Sequence, residues 1–180
     1  MNGSMDKTKK VWDNKSLKEL QNILNDKGFQ CIVLNSEKAV KDFISNRIPD
    51  ECAVGLGDSI TTCRLKLRNI LNSKGSTIFY SWDGSENYNR SLDTFEIKRT
   101  PAYYLTRINA LTIGGEILMK DYSRKAASEH KFPANIYAFA GLNRVVEEFN
   151  SEESVIKYTV IDHCPANTNF IIALLPFLDY

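Results

Sequence analysis

The fold class of this chain follows most directly from AVGLGDSITT, residues 53–62. A short apolar run leads into two glycines, and hydroxyl side chains then stand where a helix begins. Glycines let a backbone turn sharply and approach a ligand closely, and the first turn of a helix offers unpaired N–H groups to an anion. The stretch therefore predicts a strand, an anion-binding loop and a helix, with the candidate ligand-binding residues Gly55, Gly57, Asp58, Ser59 and Thr61.

The same residues also fit a plain tight turn in which Asp58 or Ser59 caps the helix. Two familiar phosphate-binding motifs are excluded. Ile60 occupies the third glycine position of a dinucleotide-binding G-x-G-x-x-G pattern, and no Gly-Lys-Ser/Thr follows as it would in a P-loop. A carboxylate at Asp58 would repel an anion unless it pointed away to cap the helix. The spacing leaves both interpretations open.

Short apolar runs alternate with amphipathic segments along the chain. Apolar spacing predicts helices over residues 14–27, from Ser36, over 60–74, from Ser91, within 121–131, from Ser151 and over 167–175, with a loop at 82–89. The predicted strands cover residues 31–34, 52–54, 77–80, 103–105, 116–119, 136–140 and 158–161. This alternation predicts an α/β fold with three layers, α/β/α, and a mostly parallel central sheet.

Two further polar segments follow predicted strands, where open α/β sheets usually build their sites. The first contains Asn109 and Thr112 before the Gly114-Gly115 turn, and the second contains Asn143 and Arg144. The amide, hydroxyl and guanidinium groups predict ligand contacts. The alternative is that Asn109 and Thr112 close an irregular turn through side-chain hydrogen bonds, and that Arg144 is a solvated surface cation.

Composition excludes several classes of protein. The chain has 180 residues, 43% of them hydrophobic, and a net charge of +1, which predicts a folded protein without strong attraction for nucleic acid. No apolar run is long enough to span a membrane. Four scattered cysteines and no export signal predict reduced thiols, a cytoplasmic location and no metal site. We expect a polar N-terminal segment over 1–13, with residues 1–4 resembling a cloning scar, and one domain over 14–180.

Taken together and in order, these segments resemble the lactate-utilisation (LUD) domain family. The matching motifs are Gly55 to Thr61, Thr106 to Gly115, Gly141 to Arg144 and Cys164 to Asn167. The resemblance implies the NagB/RpiA/CoA transferase-like fold, in which the loop after an early strand commonly cradles phosphate or acyl-CoA groups. Asp121 to Lys125 departs from the glycine-rich stretch that the family often carries there.

The resemblance implies two functions, which stay open. One is an accessory component of lactate or related organic-acid utilisation, acting beside iron–sulfur redox subunits, with no cofactor or cluster of its own. The other is a stand-alone enzyme or binder of a phosphorylated or CoA-linked small molecule. A structural or assembly role is a third possibility, and homo-oligomer formation is open. No catalytic residue is assigned, because Glu116, His130, His163 and Cys164 lack the context of an acid, base or nucleophile.

Overall fold

The computed structural model describes residues 12–57, 60–80, 101–120, 134–149 and 158–178. A six-stranded sheet forms its centre, and every pairing in that sheet is parallel. In spatial order its strands are β1 (Gln30–Val33), β10 (Asn169–Leu175), β7 (Asn135–Gly141), β4 (Tyr103–Arg107), β2 (Ala53–Leu56) and β3 (Thr77–Tyr80). Consecutive parallel strands need crossover connections, which explains the alternation of apolar runs and helices in the sequence.

The first two helices match the predicted starts. Helix α1 (Asn14–Asp26) begins after Asp13, whose side chain accepts the Ser16 N–H at 2.7 Å, and a left-handed Gly28 (φ 85°) follows its end. Helix α2 (Glu37–Arg47) begins after Ser36, whose hydroxyl accepts the Ala39 N–H at 3.1 Å. Each cap satisfies a backbone donor that the first turn leaves unpaired.

The long basic helix predicted over 60–74 is wrong in one respect, because it is two helices. These are α3 (Ile60–Arg64) and α4 (Leu67–Ser73), separated at Lys66, whose φ is 52°. A left-handed residue cannot continue a right-handed helix. The break lets Leu65 and Leu67 both be fully buried against the sheet.

Two hydrophobic clusters lie on the two faces of the large sheet. One contains Leu20 and Leu24 of α1, and the other contains residues of α2 and α4 such as Val40, Ile44 and Leu71. Successive residues of β7 and β10 alternate between the two clusters, as side chains on a strand buried on both faces must. The three-layer α/β/α prediction with a mostly parallel sheet is confirmed.

A second sheet of four short strands joins α1 on its face of the large sheet. Its order is β8 (Val145–Val146), β5 (Ala110–Thr112), β6 (Ile117–Lys120) and β9 (Tyr158–Ile161). Leu111, Ile117, Met119 and Ile161 bury their side chains in the α1 cluster. Strands β6 and β9 match predicted strands, whereas β5 and β8 are strands that the sequence did not predict.

The helix predicted over residues 167–175 is wrong, because Asn169–Leu175 is strand β10. All six residues from Phe170 to Leu175 are buried, and β10 lies inside the sheet, between the edge strand β1 and β7. A short continuous apolar run fits a buried helix or a buried strand equally well by periodicity. The predicted loop over 82–89, and the helices predicted from Ser91, within 121–131 and from Ser151, lie outside the described residues.

Side-chain amides secure the sheet at β1 and along the edge where its strands begin. Asn25 of α1 accepts the Cys31 N–H at 3.0 Å, and Gln21 donates to the Cys31 carbonyl at 3.2 Å. Across the strand starts, Gln30 donates to Asn169, Asn169 donates to Asn135, and Asn135 donates to the Ala102 carbonyl. These bonds occupy polar groups that an edge strand and strand starts would otherwise leave unpaired.

Candidate functional site

The candidate site lies at the carboxyl edge, by which we mean the edge where all six parallel strands of the large sheet end. Strands β2, β4 and β7 are near neighbours in the order β7-β4-β2. The residues that follow them, Gly57, Asn109 and the segment 142–144, therefore lie at the same edge. Three of the polar segments singled out in the sequence are brought together by this topology. Crevices outside the carboxyl ends of strands are where open α/β sheets bind ligands.

Tyr104 explains why β2 contains a glycine. In the pairing of β2 with β4, Gly55 stands directly opposite Tyr104. A Cβ at Gly55 would lie 2.6 Å from Tyr104 Cδ2, far inside ordinary contact distance, and 3.1 Å from Pro101 Cγ, a tight contact. Gly55 is buried within the strand, so the structure gives it a packing role beneath the Tyr104 ring.

Gly57 lies at the carboxyl edge itself, with three oxygen atoms around it. A Cβ there would be 3.0 Å from Thr106 Oγ1, 3.2 Å from the Tyr104 hydroxyl and 3.4 Å from the Leu105 carbonyl oxygen. The sequence did not single out Tyr104 or identify Thr106 as a site residue. A glycine inside a buried strand is a signal that could have pointed to a large neighbour on the next strand.

The loop after β2 is anchored by its own backbone. The Gly57 N–H donates to the Leu105 carbonyl at 2.8 Å, and the Gly57 carbonyl accepts the Thr62 hydroxyl at 3.0 Å. Thr61 is buried, and its carbonyl accepts the Leu65 N–H at 3.0 Å. Asp58 and Ser59 lie outside the described residues, so an anion-binding role for this loop stays a prediction.

The segment after β7 folds back on the strand end. A Cβ at Gly141 would lie 2.6 Å from Asn143 Oδ1 and 2.8 Å from the Leu178 carbonyl oxygen. Residues Leu142–Arg144 form a single turn of 3₁₀ helix, and Asn143 and Arg144 are both exposed. The amide of Asn143 and the guanidinium of Arg144 therefore lie at the carboxyl edge, where a ligand could reach them.

Thr112 lies elsewhere, although the sequence grouped it with these residues. Its hydroxyl accepts the Glu116 N–H at 3.0 Å and donates to the Glu116 carboxylate at 3.3 Å, closing the turn between β5 and β6. A Cβ at Gly115 in this turn would meet Ile23 and Lys27 near the C-terminal end of α1. That end of α1 leads into the start of β1, so the turn lies toward the opposite edge of the sheet. For Thr112 the structure shows the turn-closing bond that was the alternative interpretation.

The segment from Asp162 to Asn167 also lies toward the strand starts. The Cys164 N–H donates to the Lys27 carbonyl at 2.9 Å, and the thiol donates to the Thr168 carbonyl at 3.4 Å. Desolvation by burial raises the pKa of the Cys164 thiol, which disfavours a nucleophilic thiolate. Its neighbour Asp162 forms an ion pair with Lys27, whose hydrogen bond lowers the pKa of that carboxyl group.

A depression in the surface lies behind the loop, between the end of β2 and the two short helices. Its volume is ≈ 250 Å³, and it is lined by Leu56, Thr62, Cys63, Lys66, Arg68 and Asn69. Two cations line it and no carboxylate does. We call it the helix-pair depression. The sequence showed that this region is basic but gave no sign that β2, α3 and α4 enclose a space.

The described residues hold no group of three or more His, Cys, Asp or Glu side chains placed to bind a metal ion. Within those same ranges no helix has both the length and the apolar character to cross a membrane.

Comparison with known proteins identifies the family. The fold and the strand-end site are those of an α/β domain with a parallel sheet. The LUD domain model matches residues 17–173, which is most of the chain, and this chain therefore belongs to the LUD domain family. No curated protein matches its sequence.

Two solved structures are similar to this one. A DUF162 family protein from Deinococcus radiodurans has a TM-score of 0.56 at 13% identity, covering 92% of this chain and 99% of its own. At that identity the likeness shows the fold alone. A chain of the tetrameric eIF2B-beta2-delta2 complex from C. thermophilum has a TM-score of 0.46 at 14% identity, covering 76% of this chain and 54% of its own.

Proposed function

We propose that this LUD domain binds an anionic small molecule at the carboxyl edge of its six-stranded sheet. The observation that carries the proposal is the neighbouring position of β2, β4 and β7, from which Gly57, Asn109 and Asn143 follow at one edge. Arg144 supplies an exposed positive charge at that edge. A guanidinium fork matches the geometry of carboxylate and phosphate groups.

Two classes of ligand fit this chemistry. A phosphorylated or CoA-linked molecule would present phosphate groups to the loop after β2 and to Arg144. An organic acid such as lactate would present a carboxylate to the same donors. Both classes need an anion-binding loop at residues 55–61, and the buried Thr62 hydroxyl supports that role by fixing the Gly57 carbonyl.

A thermal-shift titration tests binding, with CoA thioesters, nucleotides, sugar phosphates and lactate as probes. A ligand that binds only the native state raises Tm in a concentration-dependent way. We expect at least one probe to raise the Tm of the wild type and to do so less in Arg144→Gln and Ser59→Ala. Lys18→Gln is the matched control, since it removes one exposed positive charge from α1, a helix that supplies none of the proposed site residues. The proposal would be contradicted if no probe raised Tm, or if Lys18→Gln reduced the ligand-induced rise in Tm as much as Arg144→Gln does.

Membership of the LUD family supports a second candidate, a cytoplasmic component of lactate or related organic-acid utilisation. In this role the chain would act beside an iron–sulfur redox subunit and hold the organic acid or a surface of that subunit. Deleting the gene should then slow growth on lactate, and affinity purification should recover an iron–sulfur protein. Normal growth of the deletion strain on lactate would refute this candidate. The proposal that the domain binds a small anion is tested separately by the thermal-shift titration.

A further inference from the structure

We infer that the helix-pair depression is the place where the ligand's anionic group binds, and that the ligand is a small organic anion with a short apolar body. The inference rests on the proposed function, because Leu56 and Thr62 join the depression to the loop after β2. It adds the class of ligand and two residues, Lys66 and Arg68, that the sequence did not assign to any site.

The size of the depression limits the ligand. Sites for drug-sized molecules usually have volumes of about 300–1,000 Å³, and the depression has ≈ 250 Å³. It therefore holds a short-chain acid or a small phosphomonoester rather than a whole nucleotide or CoA. Larger ligands could place only one end there.

The walls of the depression are mainly carbon. Leu56 forms an apolar wall, and the aliphatic stems of Lys66 and Arg68 add to it. The residues with polar groups are few: Thr62, whose hydroxyl donates to the Gly57 carbonyl, Asn69 with its amide, and the cations Lys66 and Arg68. An apolar pocket with a few convergent polar groups selects a ligand that is itself part apolar and part charged, so a bare inorganic anion fits less well.

The positive charge of the depression indicates that the ligand is negatively charged. Among the described residues no carboxylate pairs with the Lys66 ammonium, and none lines the depression. At the other end of α4, Lys74 is held by Asp50 at 2.6 Å. At the break between α3 and α4 the Lys66 N–H donates to the Cys63 carbonyl at 3.0 Å, and Lys66 lines the depression together with Cys63 and Arg68.

Cys63 offers a direct readout, because it is the exposed cysteine among the four and it lines the depression. Alkylation by iodoacetamide is followed at Cys63 by peptide mass spectrometry, with the half-buried Cys52 as an internal control. Sodium butyrate, n-butyl phosphate, inorganic phosphate and butanol are compared at constant ionic strength. At a butyrate concentration about ten times its Kd, alkylation of Cys63 should slow about tenfold, since only the unbound fraction reacts.

Protection of Cys63 by butyrate or n-butyl phosphate but not by butanol supports the inference, and the stronger of the two identifies the anionic head as carboxylate or phosphate. Equal protection by butanol would show that charge plays no part and would overturn it. The absence of protection by every probe would also overturn it. If inorganic phosphate were the only probe to protect Cys63, the inference that the ligand has an apolar body would be wrong.

Two variants separate this inference from the proposed function. Lys66→Gln should reduce protection of Cys63 at least severalfold, whereas Lys18→Gln should leave it unchanged. If Arg144→Gln weakens the thermal shift but Cys63 is never protected, the carboxyl-edge site stands and the depression does not. If Cys63 is protected and the Arg144→Gln and Ser59→Ala variants bind as the wild type does, the depression stands and the proposed edge site fails.

Discussion

Replacing Gly55 with alanine should destabilise the protein, because the new methyl group has no space. Its Cβ would lie 2.6 Å from Tyr104 Cδ2 and 3.1 Å from Pro101 Cγ. Tyr104 is 7% exposed and part of the α1 cluster, so its ring cannot swing out to solvent without losing core contacts. Overpacking of this kind costs about 1–3 kcal/mol. For a chain of this length a loss of about 2 kcal/mol lowers Tm by about 4–8 °C.

The control for this substitution is Gly114→Ala. A Cβ at Gly114 would meet only Thr112 Oγ1, at 3.7 Å, which is ordinary contact. The free energy of unfolding of Gly114→Ala should therefore lie within about 1 kcal/mol of the wild-type value. Both variants are measured by urea denaturation and by thermal unfolding.

A double-mutant cycle tests whether the Tyr104 ring is the cause. Tyr104→Val removes the ring atoms that Gly55→Ala would strike, so the alanine should cost about 1 kcal/mol less in that background than in the wild type. An equal cost in both backgrounds would refute the argument that Gly55 makes room for Tyr104. So would a Gly55→Ala protein as stable as Gly114→Ala.

Three further predictions concern local hydrogen bonds and a buried thiol. Ser36→Ala removes the cap of α2 and should cost about 1 kcal/mol in urea denaturation, whereas Ser45→Ala on the exposed side of that helix should cost little. Asn25→Ala leaves the Cys31 N–H without its acceptor and should cost about 1–3 kcal/mol, and Asn25→Asp, which keeps the accepting oxygen, should cost less. Burial raises the pKa of the Cys31 thiol from 9.0 to about 12, so between these pH values the unfolded chain has lost a proton that the folded chain keeps. The contribution of this thiol to the free energy of unfolding should therefore fall as pH rises through that window, by roughly 1.4 kcal/mol per pH unit. The difference in free energy of unfolding between Cys31→Ala and the wild type should change with that slope. If the free energies of the two proteins instead change in parallel with pH, the argument is wrong.

Local signals predicted the first half of the fold well. The helix cap at Ser36 and the left-handed turn at Gly28 each depend on one or two residues and their nearest neighbours. A short window of sequence is therefore enough to predict where α1 ends and where α2 begins. The break between α3 and α4 is different. Lys66 carries no side-chain property that demands a left-handed conformation, and the break follows from burying Leu65 and Leu67 together against the sheet.

Strand β10 shows where periodicity cannot decide. Its apolar run satisfies the pattern of a buried helix, and only pairing with β1 and β7, at distant positions in the sequence, makes it a strand. The same applies to β8, whose two residues become a strand by pairing with β5, and to β5, which pairs with β8 and with β6. Non-local pairing of this kind leaves little trace in a short window of sequence.

The two glycines after Val54 show how the candidate site could be predicted only in part. Sequence reasoning gave both the same role, close approach to a ligand, because a glycine pair before a helix has that meaning in many phosphate-binding loops. The parallel register separates them. Gly55 lies opposite Tyr104 within the sheet, and Gly57 lies beyond the strand end beside Thr106. Gly57 is buried, its N–H donates to the Leu105 carbonyl and its carbonyl accepts the Thr62 hydroxyl, so it holds the loop in place instead of contacting a ligand directly. A Cβ at Gly57 would press on the hydroxyl oxygens of Thr106 and Tyr104 at the strand end. Gly57→Ala should therefore disturb the loop and weaken the ligand response, while Gly55→Ala should lower stability through the Tyr104 ring.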